Sequence, residues 1–105
     1  MRKLTKNDTV TIVGRRWFEK VNGNTYHSFY LYVNGELIAY NPFNYGYDTQ
    51  YLQNALCELG KHFDLKVESV YKHSLHKIKE VTGANFVVSV SDVKRRKDLE
   101  GNTSL

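Results

Sequence analysis

From Thr9 to Phe18 the chain alternates, Val10 and Ile12 falling on one side and Thr11 and Val13 on the other, the two-residue period of a strand. Asn22-Gly23 follows, then a run from Thr25 to Val33 dense in β-branched and aromatic residues, then Asn34-Gly35 and a third strand-like run from Glu36 to Tyr40. Asn-Gly supplies the two positive-φ residues of a type I′ hairpin turn, so the pattern predicts a three-stranded meander that Pro42 limits.

The period then changes. Leu52, Ala55, Leu56 and Leu59 recur at i, i+3, i+4 and i+7, which predicts a helix capped by Asp48 or Thr49 and stopped at Gly60. Val67, Val70, Tyr71, Ser74, Leu75, Ile78 and Val81 fit a second helix over 67–81, although Leu65-Lys66-Val67 also suits the start of a strand. After Gly83, alternation returns from Asn85 to Val93 with Phe86, Val88 and Val90 inward, a fourth strand. The expectation is an α+β domain over 1–93: an antiparallel meander plus a fourth strand, one sheet face covered by one or two helices. Residues 94–105 read as a basic polar tail.

Turn geometry sets register. Two-residue loops put Val21 opposite Asn24, hence Trp17 opposite Ser28, Arg15 opposite Tyr30 and Val13 opposite Tyr32. Across the second turn Tyr32 faces Leu37 and Tyr30 faces Ala39. Alternation assigns Val10, Ile12, Phe18, His27, Phe29, Leu31, Val33, Ile38 and Tyr40 to the core face. Val13, Arg15, Trp17, Tyr26, Ser28, Tyr30, Tyr32 and Leu37 take the opposite face.

That second face changes the picture, because the segment 15–51 holds the only tryptophan and every tyrosine except Tyr71. A Tyr or Trp ring joins a large apolar body to a polar tip, so a cluster of them suits contact. Arg15, Trp17, Lys20, Tyr26, Ser28, Tyr30 and Tyr32 form the leading candidate surface. Bases stack on aromatic rings and cations meet phosphates, so single-stranded nucleic acid or a nucleotide-like ligand fits it. Packing against a second helix, a host protein or a second copy fits the same face. The loop Asn41 to Asp48 adds Tyr45 and Tyr47 around Gly46, either as a ligand-closing loop or as a plug between strand and helix.

Charge weighs in only locally. Of 15 basic residues, Lys94, Arg95, Arg96 and Lys97 lie in one run; the other 11 match 11 acidic residues, so the net +4 belongs to the C-terminal segment. That run suits either phosphate contact or simple solvation. A neutral body argues against an acidic mimic of DNA and only weakly for nucleic acid.

Catalysis has little to stand on. His73, His76 and Glu80 share a helical spacing, but zinc needs three or four well-placed ligands, Cys57 has no CxxC partner, and these side chains with Lys72, Lys77 and Lys79 read more simply as a solvated helix face, so neither metal nor cofactor is expected. His27 and Ser28, as strand neighbours, point to opposite faces. Val13-Gly14-Arg15 is a lone glycine rather than a phosphate loop. One cysteine, no apolar run of membrane-spanning length and a polar start predict a cytoplasmic protein that does not enter membranes.

Arg15-Arg16-Trp17-Phe18, Gly23-Asn24-Thr25-Tyr26-His27-Ser28, Tyr45-Gly46-Tyr47, Gln50-Tyr51-Leu52-Gln53 and the stretch Asp92 to Leu99 together resemble a family of small bacteriophage proteins. Asp48-Thr49 departs from the family's turn after Tyr-Gly-Tyr. The resemblance implies an accessory role in the host bacterial cytoplasm: inhibition of a defence system, as anti-CRISPR proteins do, or nucleic-acid binding early in infection.

Overall fold

The structure, a computed structural model, describes residues 2–46, 48–65, 67 and 74–100, with the Glu100 side chain excepted. Its elements run β1 (Thr9–Glu19), β2 (Asn24–Val33), β3 (Glu36–Tyr45), α1 (Gln50–His62), α2 (Leu75–Thr82), β4 (Asn85–Val93) and α3 (Lys97–Glu100). The four strands form one sheet in the order β3-β2-β1-β4. β1, β2 and β3 make the expected antiparallel meander, whereas β4 lies parallel to β1. A helical crossover returns the chain to the far edge in the direction of β1, which makes the α+β sheet mixed.

The core lies between the sheet and its helices. Val10, Ile12, Phe29, Leu31 and Val33 meet Tyr51, Ala55, Leu56, Leu59 and Ile78, all buried. Gly14 is what lets α1 come this close: a Cβ there would sit 2.4 Å from Cδ2 of Tyr51. Helix α1 runs through Gly60 and ends at Phe63, and Thr49 holds the N-cap position without a side-chain hydrogen bond. The expected stop at Gly60 is therefore wrong, because the helix's buried row continues to Phe63, itself buried. Of the second helix expected over 67–81, the turns from Leu75 onward are present; residues 68–73 lie outside the described ones. Ser74 caps α2 by accepting from the Lys77 amide, and Gly83, at φ 72°, ends it.

The two hairpin turns are built differently. Asn34 (φ 52°) and Gly35 (φ 84°) make the expected tight turn. Asp8 holds it, accepting from Asn34 Nδ2 at 2.9 Å and from the two Arg2 guanidinium nitrogens at 3.0 and 2.9 Å. The first turn is longer than expected: Glu19 pairs with Asn24, and the Glu19 carboxylate accepts from the amides of Val21 and Asn22. Every β1–β2 pair is thereby shifted by two from the expected register, so Trp17 faces Tyr26 and Arg15 faces Ser28. An even shift keeps each side chain on its predicted face.

Candidate functional site

Arg15 and Trp17 on β1 and Tyr26, Ser28, Tyr30 and Tyr32 on β2 share the sheet face away from α1. Two bulges in β3 bring it further rings. Ile38 is the extra residue between the pairs Tyr32–Leu37 and Leu31–Ala39, which moves Tyr40 opposite Tyr30. Tyr40 therefore stands on the aromatic face, not the core face. Pro42, with no amide to donate, and Phe43 together oppose Ser28 in the second bulge. Tyr45 then pairs with Tyr26.

The rings form two rows across the strands. In the first, Trp17 and Tyr26 have centroids 5.7 Å apart with planes 27° from parallel, and Tyr26 and Phe43 are 4.8 Å apart at 16°. The Arg96 guanidinium ends the row, 4.3 Å from the Phe43 centroid. Tyr45 meets Tyr26 edge-on. In the second row Tyr30 and Tyr40 stack at 5.1 Å and 1°, and Arg15 lies 5.6 Å from the centroid of Tyr30. Rings this close and this nearly parallel are offset-stacked and too near to lie side by side in one plane. Tyr26, flanked by Trp17 from β1 and Phe43 from β3, has both faces covered. Tyr26 is thus left no free ring face, and Tyr30 is covered by Tyr40 on one side.

The middle of the face is closed by the chain itself. Leu99 of α3 is fully buried, and the Ser28 hydroxyl, also fully buried, donates to its carbonyl at 2.6 Å. Tyr30 and Tyr32 are buried too. The open platform expected from the sequence is therefore absent at its centre, and the chain does not leave the domain at Val93 as a solvated tail. The reason lies in Leu99, an apolar anchor that follows the charge run. Burial pushes the Tyr30 phenol up, while the nearby Arg15 charge pulls it down. The Tyr30 hydroxyl and Arg15 Nη1 are both buried on this face, where the guanidinium is close enough to act on the phenol.

What stays open lies along β3. Leu37, Tyr40, Phe43 and Tyr45 are all exposed, Tyr45 by 60%. The other predicted site residues scatter. Lys20 sits in the first turn and, with Arg16, Phe18 and Lys94, lines a depression of about 570 Å³ at the sheet's open end. Phe18 is 54% exposed instead of joining the core, because it lies past the start of α1. Arg95 pairs with Asp98 at 3.3 Å, and Lys97 opens α3. Tyr47 and residues 101–105 lie outside the described residues. Tyr40 and Phe43 were missed because a bulge erases the simple alternation; Pro42 was the available signal.

His27, on the opposite face, is held rather than poised. Its Nδ1 contacts the Gly46 carbonyl at 3.1 Å and its Nε2 the Asn54 amide at 3.0 Å, a pairing that suits the neutral ring. Burial lowers its pKa. Among the described residues no group of His, Cys, Asp and Glu could hold a metal ion, and His73 lies outside them. No described helix is long and apolar enough to cross a membrane.

The fold is α+β, with a ring-lined sheet face opposite α1. No family model matches the chain, and no curated protein or solved structure matches it.

Proposed function

We propose that this is a non-enzymatic binding protein whose partner is another protein, engaged by the stripe Leu37, Tyr40, Phe43 and Tyr45 together with the Trp17 end of the ring row. The supporting observation is that the rings are stacked on one another and on Arg15 and Arg96. Base stacking needs free ring faces. Exposed aromatic side chains on a rigid, packed base of Trp, Tyr and Arg are what an interface anchor needs. The ranking from sequence, nucleic acid first, is therefore reversed.

As a phage-type accessory factor the protein would act on a host protein, with inhibition of a defence complex as one form of that role. The neutral body agrees with burial against protein better than against phosphate. Affinity capture from host lysate, with and without nuclease, tests the reading. A nuclease-resistant partner lost in Tyr40→Ala/Tyr45→Ala is expected; capture that nuclease abolishes would return nucleic acid to first place. The observation on the nucleic-acid side is the position of Arg96 and Lys97, brought onto the rim of the face by α3.

A further inference from the structure

The two edges of the sheet are built differently. β3 carries Pro42 and two bulges, devices that keep an edge from pairing with another strand. β4 has neither. Its nine residues pair with β1 in unbroken register from Thr9–Asn85 to Trp17–Val93. It contains no proline or glycine, and Asp92 is its sole charged residue. Val87 is 54% and Val90 38% exposed.

The direction of its unused backbone groups follows from one bond. The Asn85 amide donates to the Asp8 carbonyl at 3.0 Å, so Asn85 faces β1. Alternation along a parallel strand then turns the amides and carbonyls of Phe86, Val88, Val90 and Asp92 outward. Among the described residues no strand takes them up.

We propose that β4 pairs antiparallel with β4 of a second copy of this chain, about a two-fold axis at Ser89. This goes beyond the proposed function and uses a different surface from it. In that register every outward-facing residue meets an outward-facing residue: Val88 opposite Val90 and Phe86 opposite Asp92, twice over. Ser89 meets its counterpart on the axis, and Val87 meets Ser91. Cross-strand valine pairs are favourable, and no like charges face each other. A parallel pairing would instead set the two Asp92 carboxylates side by side. An isologous contact of this kind closes at two subunits and cannot propagate, since the outer edges are the blocked β3 strands. The product is an eight-stranded sheet with both ring-lined faces on one side, so a partner with two sites would be held bivalently.

Sedimentation of the full chain over a wide concentration range tests this. The expected result is a concentration-dependent shift from monomer to dimer mass. Val90→Pro removes an amide that faces outward and makes no bond among the described residues; it should leave the circular dichroism spectrum intact and the protein monomeric. Val90→Lys, which keeps the backbone amide but places a cation at the seam, should weaken dimerisation at least tenfold. A monomer at every concentration would overturn the proposal. So would a dimer that survives both folded variants, or one lost only in Tyr40→Ala/Tyr45→Ala.

Discussion

Single residues here are settled mostly by what they must fit against. Gly14, a lone glycine with no phosphate-loop context, is required because the Tyr51 ring occupies the place of a side chain. Gly14→Ala should cost about 1–3 kcal/mol through overpacking, read as a lower urea midpoint with unchanged slope. His27 carries a pH dependence. Its folded-state pKa is lowered by burial, so the unfolded chain takes up its proton first as pH falls. Stability should be full above about pH 6.5 and decline below it, and His27→Gln should flatten that decline in urea melts between pH 7 and 5. Asp8 acts in a lower window. Hydrogen bonds from Arg2 and Asn34 hold its carboxyl well below the usual range, so its contribution is present above about pH 4 and lost as acid protonates it.

At the scale of elements, the period of the pattern was a sound guide and the length of each connection was not. Alternation placed Trp17, Tyr26, Ser28, Tyr30 and Tyr32 on one face correctly, even though the first turn is two residues longer than Asn22-Gly23 suggested. An odd error would have inverted the sheet. Two features could not be read from local pattern. The Ile38 bulge depends on β3 satisfying the core with both Ile38 and Ala39, which is tertiary information. The docking of α3 depends on one leucine after a run of charges, and a four-residue helix has no period to detect. Leu99→Ala should cost about 2–5 kcal/mol if α3 closes the face as a core element does. Lys94→Ala, at an exposed position, should change stability by no more than about 0.5 kcal/mol. Equal, negligible shifts for both would mean that the segment is a solvated tail after all.

For the molecule as a whole, the layers divide the labour. α1 and α2 bury one sheet face and make the core, while α3 seals only the middle of the other and leaves a ring-lined margin along β3. That a small sheet would have an apolar and an aromatic side was legible from composition and alternation. That Tyr26 would be sandwiched between Trp17 and Phe43 was not, because it turns on pair distances that register errors of two residues alter. Trp17 beside Ser28 would have been a free ring; Trp17 beside Tyr26 is a stacked one.

Trp17 is the only tryptophan in the chain and stands at the end of the ring row, so its emission reports on this surface without labels. Titration with a single-stranded oligothymidylate in low salt should leave that emission unchanged. Saturable quenching that weakens steeply as salt is raised would mean that bases do reach the rings, and would contradict a protein-directed surface.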